Sequence, residues 1–243
     1  MIKIEKFEVL GWEHAIRGMR NPMNSWEKSD SVFIDEDGDW YTITGDSGPF
    51  KNVDEFSTDG QQVYIGPNDL DLMKRLRNAG TDHRKFMRMI TVYLDITAPL
   101  YFWKEFDTYK VGTVANSCST MHKIAAKEFT LEDFSCEHLF HNINDTEMWF
   151  DIDFLKVLDN TIFYLNKARE LYLKTHDKKY WWQMIQLLPS SYNQKRTVML
   201  NYEVLANIYP MRKNHKLDEW RDFCKWIETL PYSELITREK END

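Results

Sequence analysis

The stretch from Ile90 to Thr97 constrains the fold most. Ile90, Val92, Leu94 and Ile96 alternate with Thr91, Tyr93, Asp95 and Thr97. A period of two places the aliphatic groups on one face and the polar-tipped groups on the other, as in a strand with one buried side. Ala98-Pro99 follows at once, and Pro99 stands where a helix begins: its fixed φ suits the first helical position, and its missing N–H is not needed there. Leu100 to Lys110 continues without a breaker. Strand feeds directly into helix.

Around this junction the chain reads as mostly helical. Residues 2–10, with Ile2, Ile4, Phe7 and Val9, fit a first strand, and Trp12 to Met19 a short helix whose Arg17 and Arg20 face solvent or an anion. Pro67-Asn68 opens a helix carrying Leu70, Met73, Leu76 and Ala79 and ending at Gly80. A long helix is expected from Phe154 to Lys174, with Leu158, Ile162, Leu165 and Tyr172 on one face. Two more run from Met199 to Met211 and from Leu217 to Glu228, with Pro210 near the end of the first and Pro231 closing the second. Between Ser31 and Gly66 the composition changes. Val32-Phe33-Ile34 and Trp40-Tyr41-Thr42-Ile43 flank an Asp-Gly turn, which reads as a hairpin and a surface elaboration. Its Asp35, Asp37 and Asp39 lack the glycine and the twelfth-position glutamate of a calcium loop. The expected class is α+β, a helix-rich single domain over residues 1–243 with a small antiparallel sheet and residues 31–66 inserted.

Composition narrows the function classes. With 14 Phe, 12 Tyr and 9 Trp against 9 Gly and 7 Pro, the chain can bury a large core with few interruptions. A net charge of -8 argues against a surface that grips nucleic acid, which selects for a basic face. No apolar run approaches the roughly 18 residues of a membrane helix, and the start alternates charge, so no membrane partner and a cytoplasmic location are expected. Cys118, Cys136 and Cys224, odd in number and far apart, suit reduced thiols.

The residues with most chemistry follow Pro99. Glu105, then Thr108-Tyr109-Lys110, then Asn116, Ser117, Cys118 and Ser119 put amides and hydroxyls behind a basic helix end, where they hold a phosphate or heterocycle or simply cap the next helix. Cys118 is a nucleophile candidate without a visible base, or a small buried thiol. Cys136, His138 and His141 offer a metal spacing with no second pair, so no metal is expected. His83 and Arg84 read as a site contribution or a solvated turn, and Tyr180-Trp181-Trp182 as core or subunit interface.

This order of residues resembles the flavin-dependent thymidylate synthases. Their pattern has an Ala-Pro opening a helix, then Arg-His-Arg, then Asn-Glu, Ser and Arg-Tyr. Counted from Ala98-Pro99, the Arg-His-Arg slot falls on Thr108-Tyr109-Lys110; with one inserted residue, Asn116 and Ser119 match, Ser117 takes the Glu slot and Met121-His122 the Arg-Tyr slot. A second block agrees: Leu187-Leu188-Pro189, then Asn201, Asn207, Arg212 and Glu219-Trp220-Arg221. Together the blocks, residues 83–122 and 187–228, cover about a third of the chain. This sequence departs from the pattern at Glu203, where the family carries an arginine touching FAD, and at Met89, where it carries a histidine. In the Arg-His-Arg slot only Lys110 keeps a charge. Lys104, Lys123, Lys195 and Arg196 are near enough in sequence to compensate.

The resemblance implies a homotetramer with sites between subunits, binding FAD, NADPH, methylene-tetrahydrofolate and dUMP or a related uracil nucleotide, and converting dUMP to dTMP. It implies cofactor contacts from Thr108, Tyr109, Lys110, Asn116, Ser117, Asn201 and Asn207, and substrate contacts from Glu105, Ser119 and Arg212. No side chain is required as a nucleophile. The alternative is a member that has lost the chemistry and serves as a nucleotide-binding or interaction module.

Overall fold

The computed structural model describes residues 2–35, 37–48, 63–140 and 153–237. Its main sheet is antiparallel and four-stranded: β1 (Lys3–Leu10), β6 (Thr91–Pro99), β8 (Asn193–Asn201) and β7 (Val114–Ser117), side by side in that order. The central pair runs in register from Thr91 opposite Asn201 to Pro99 opposite Asn193. Val92, Leu94, Ile96 and Ala98 of β6 and Val198 and Leu200 of β8 bury one face of this sheet. Against it lie α3 (Leu100–Phe106), α7 (Tyr202–Arg212) and α8 (Asp218–Glu228), with α1 (Trp12–Arg20), α2 (Pro67–Asn78) and α9 (Glu234–Thr237) completing the layer. Phe102, Trp103 and Phe106 of α3 interlock with Trp220 and Phe223 of α8; Phe102 and Trp220 have centroids 4.6 Å apart. Stacked and edge-on aromatic pairs at such distances add to simple burial. The architecture is therefore helix-rich with small antiparallel sheets, as the alternation at residues 90–97 indicated.

A second apolar cluster joins α5 (Phe154–Thr175) and α6 (Lys178–Leu187) through Leu158, Leu165, Ala168 and Met184. It also takes in Ile124, Phe129 and Phe134 from the chain beyond α4 (Thr120–Lys123).

Three expectations need correction. First, α3 stops at Phe106 rather than Lys110. The Thr108 hydroxyl and backbone N–H both donate to the Glu105 carbonyl, at 2.7 and 3.1 Å, and close the helix in a turn. Second, residues 199–201 are strand, not helix. Helix α7 starts at Tyr202 because the Asn201 side chain caps it, its Oδ1 accepting the Val204 N–H at 3.0 Å. Third, the 31–66 region is more than a surface hairpin. The strands β2 (Val32–Ile34) and β3 (Trp40–Tyr41) do pair, but β4 (Ser47–Gly48) and β5 (Val63–Tyr64) extend them into a second sheet. Phe33, Val63 and Ile65 enter the main core. Residues 49–62 lie outside the described residues.

The base of this region is anchored by a buried ion pair. Asp69, fully buried, accepts Arg20 Nε at 2.6 Å, the hydroxyls of Ser29 and Ser31 at 2.6 Å each, and the backbone N–H groups of Asp30 and Ser31 at 3.2 Å. Arg20, read as facing solvent or an anion, is 3% exposed and faces this carboxylate. A buried charge pair holds only where its remaining valences are satisfied, and here they are.

Candidate functional site

The segment after Pro99 and the helix carrying Arg212 meet. Arg212, on the last turn of α7, donates Nη1 to Glu105 Oε2 at 2.5 Å and Nε to the Tyr109 hydroxyl at 2.8 Å. Its guanidinium lies 4.5 Å from the Trp220 ring centroid and 5.6 Å from that of Tyr109. Trp220 Nε1 donates to the same Glu105 oxygen at 2.9 Å, and His215 Nε2 stands 3.4 Å from it. One carboxylate oxygen thus gathers an arginine, an indole and an imidazole, a charge-assisted cluster built on α3, the turn behind it, α7 and α8. Beside it opens a depression of about 500 Å³ lined by Tyr101, Glu105, His215, Lys216 and Leu217. Tyr101 donates to Glu219 on its far side, and burial followed by that bond pushes its phenol well above the ordinary range. Arg212 and Glu105 were singled out in sequence. His215 was not, since a lone histidine in a connecting turn carries no signal until the fold sets it against Glu105.

Around the first half of α7 the charges are rearranged. Glu203, 8% exposed, is held by two guanidinium groups from the 3-10 turn Arg84–Arg88: Arg84 Nε at 3.2 Å, and Arg88 through Nε and through Nη2 at 3.3 Å. Arg84 also donates Nη2 to Asn207 Oδ1 at 2.9 Å. Asn201 and Asn207 therefore have different tasks, the first buried and capping α7, the second exposed and paired to Arg84. Gly112, at φ +76, packs on this helix start; a Cβ there would lie 2.9 Å from Asn201 Nδ2 and 3.1 Å from Val204 Cγ2. Next to it, the Thr113 hydroxyl is buried with no hydrogen-bond partner among the described residues. Arg84, weighed in sequence mainly as part of a solvated turn, belongs to this cluster.

The remaining candidates are dispersed. Thr108 closes α3, Tyr109 joins the Arg212 cluster and Lys110 is exposed. Asn116 and Ser117 lie exposed on the edge strand β7, opposite Thr197 and Arg196. Ser119 caps the single turn α4, accepting the His122 N–H at 3.0 Å. It lines a separate cavity of about 310 Å³ with Cys118, Lys123, Lys127, Tyr192 and Lys195. Lys127 pairs with Asp133, Lys195 with Asp95 at 3.0 Å, and Arg196 with Asp107 at 2.7 Å. Lys123 has no ion pair among the described residues, so of the lysines lining this cavity it is the one left to an incoming anion. Cys118 is exposed and Cys224 buried; desolvation pushes the Cys224 thiol up to about 12. His138 Nε2 lies 2.8 Å from Asp218 Oδ2, and His141 falls outside the described residues. Trp182 is 43% exposed, whereas Trp181 packs on the second cluster.

No protein-family model matches this sequence, and no curated protein matches it significantly. Solved structures do match the fold. Thymidylate synthase X from Helicobacter pylori, crystallised with FAD and dUMP, superposes over 100% of both chains with a TM-score of 0.61 at 16% identity. A second structure of the flavin-dependent enzyme from that organism, also with FAD and dUMP, gives 0.59 at 17% identity over 98% of this chain and 97% of that one. The UMP/dUMP methylase PolB from Streptomyces cacaoi, bound to 5-Br dUMP, gives 0.53 at 12% identity over 94% and 89%. At these identities the likeness establishes the fold.

The donor set around α7 fits an anionic cofactor better than the sequence alone indicated. Glu203 removes a positive charge from the slot, but Arg84 and Arg88 bring two guanidinium groups to the same carboxylate, so this cluster carries net positive charge. The buried Thr113 hydroxyl, next in sequence to Gly112, has no partner among the described residues. Lys110, two residues before Gly112, is exposed.

Proposed function

We infer that the protein binds a uracil nucleotide beside the Glu105–Arg212 cluster and methylates C5 of its ring. The observation that carries this reading is the closure of α3 on α7 through Arg212, Glu105 and Tyr109, on a fold that superposes over 94–100% of its length with a thymidylate synthase and a UMP/dUMP methylase. When bound, FAD reduced by NADPH would supply the hydride that completes the methyl group, with methylene-tetrahydrofolate as the carbon donor. Lys110, Asn207, Arg84 and Arg88 are the groups that would hold the flavin's anionic part. Thr108, closing α3, and Asn201, capping α7, have their side chains committed, so they contribute at most backbone or rim contacts, and Asn116 and Ser117 would reach a ligand only from the exposed edge strand β7.

The chain's own residues act by binding and orientation. Arg212 has turned Nε to Tyr109 and Nη1 to Glu105, so Nη2 is the nitrogen it keeps wholly for a substrate acceptor such as a ring carbonyl. Phosphate recognition falls instead to Ser119 and Lys123 across the second cavity. Assembly as a homotetramer, with those two cavities contributed by neighbouring copies, belongs to the same proposal. Positioning of this kind supplies much of the barrier reduction in two-substrate reactions.

The test is the visible absorption spectrum of the purified full chain, followed by dTMP formation from dUMP with NADPH and methylene-tetrahydrofolate. A flavin spectrum and turnover are expected. A colourless protein that takes up no FAD yet binds dUMP would select the alternative, a nucleotide-binding module without the chemistry.

A further inference from the structure

A third cavity, of about 550 Å³, shares no lining residue with the two described above. It is lined by residues 7–14, from β1 and the start of α1, by Phe33, Ile34, Tyr41 and Val63 of the second sheet and its approaches, and by Thr229 and Pro231 after α8. Its size suits a small molecule. Packing holds its aromatic walls: Phe33 lies 5.4 Å from Tyr41, Phe7 meets Trp226 edge-on at 5.8 Å, and Trp12 is set edge-on against Tyr202 and Tyr232. Strand β1 bulges where it reaches the cavity. Glu5 pairs with Asp95 and Glu8 with Tyr93, so three steps on β1 match two on β6, and Lys6 takes a left-handed φ of +51. One extra residue exchanges the two faces of a strand. Ile4 stands opposite the core residue Ile96 before the bulge, and Val9 opposite Val92 after it. With an unbroken alternation Glu8 would share the face of Ile4; the bulge gives that face to Val9 and leaves Glu8 exposed at the cavity. Bulges recur beside binding sites because they re-aim a side chain in this way.

Two carboxylates line this cavity, and no lysine or arginine does. Glu13 is partly committed: Oε1 accepts Arg17 Nη1 and Oε2 accepts the Tyr41 hydroxyl, each at 3.3 Å. Glu8 has no hydrogen bond or ion pair among the described residues, so it supplies the uncompensated charge. Phe7 is 48% exposed and offers a ring on the same strand. A carboxylate beside aromatic side chains complements a cation twice over, through the ion pair and through the negative faces of the rings. An anion would be repelled by both glutamates, and a neutral body would leave Glu8 unanswered. We propose that this cavity is a binding site for a small organic cation, an ammonium or guanidinium group carried on an aromatic body, with Glu8 taking the charge and the aromatic walls taking the ring. The site stands apart from the uracil-nucleotide reading and does not depend on it.

Isothermal titration of the full chain at neutral pH with three ligands sharing one indole body tests this: tryptamine, a cation; N-acetyltryptamine, neutral; and indole-3-acetate, an anion. Tryptamine is expected to bind saturably, the acetylated compound about ten- to a hundredfold more weakly, the range for losing a hydrogen bond to a charged group, and the anion not at all. Glu8→Gln is expected to weaken tryptamine by about tenfold and to leave the neutral compound unchanged. Saturating dUMP is expected not to displace tryptamine. No binding of tryptamine, or binding within threefold of its acetylated form, would overturn the proposal. So would unchanged tryptamine affinity in both Glu8→Gln and Glu13→Gln, or displacement by dUMP, since either would put the ligand elsewhere. The series of three ligands on the wild-type chain decides the charge preference even if a variant fails to fold.

Discussion

Replacing Arg212 with alanine tests how the site is held together. Arg212 and Glu105 are partly shielded, their side chains 16% and 36% exposed, so the pair lies between two limits. Breaking a fully buried pair costs about 3–5 kcal/mol, and an exposed pair contributes about 1 kcal/mol or less. Glu105 keeps the Trp220 N–H and the nearby His215 after the change, which softens the loss. The guanidinium's packing over Trp220 disappears, which adds to it. The expected destabilisation is about 2 kcal/mol. Glu105→Ala is expected to cost a similar amount, since it strands Arg212 and the indole N–H. The double variant should then cost less than the sum, with a coupling energy of about 1 kcal/mol. Urea unfolding of the four proteins at neutral pH, with slopes compared to confirm two-state behaviour, measures this directly. Costs that add to within about 0.3 kcal/mol would refute the claim that these residues act as one unit.

Asp69→Ala is expected to destabilise by about 3–5 kcal/mol, because it strands Arg20 in a buried site along with two hydroxyls and two backbone N–H groups; a loss under about 1 kcal/mol in the same urea assay would contradict the anchor. Tyr209 donates to Glu228 at 2.7 Å, and that bond, with burial, pushes its phenol up to about 12. Since the folded value is raised, this stabilisation is complete below the unfolded value of about 10 and drains as pH climbs toward about 12. Tyr209→Phe should flatten stability over that window, and an unchanged alkaline slope would remove the contact from the account. In the folded protein at neutral pH, iodoacetamide should modify exposed Cys118 and spare Cys224, whose buried thiol stays protonated; early labelling of Cys224 by mass spectrometry would mean that the α7–α8 packing is looser than described.

What could be read from the sequence followed from local periodicity. The alternation at 90–97, the apolar faces of α2 and α5 and the Pro99 start each express a repeat that one segment carries alone. Strand β8 was hidden because its inward positions begin with Gln194 and Arg196, polar groups that break the alternation until Val198 and Leu200. Helix α3 looked longer because nothing in Asp107 to Lys110 forbids helix; the turn comes from Thr108 folding back on Glu105. At the site, Arg212 and Glu105 could be named separately, but their pairing spans 107 residues. The Arg84–Glu203 contact spans 119. Such contacts depend on how helices pack on the sheet, and no local pattern encodes them. That is why Arg84 and Arg88 could not be named from the sequence as the partners of Glu203.

The most direct measurement of the central claim is a calorimetric titration of dUMP into the full chain and into Arg212→Ala. Saturable binding at micromolar to tens-of-micromolar concentrations is expected. It should weaken in the variant by the roughly 1.5–3 kcal/mol of a hydrogen bond to a charged group. No heat with the wild-type chain, or equal affinity in both proteins, would contradict a uracil-nucleotide site at this cluster.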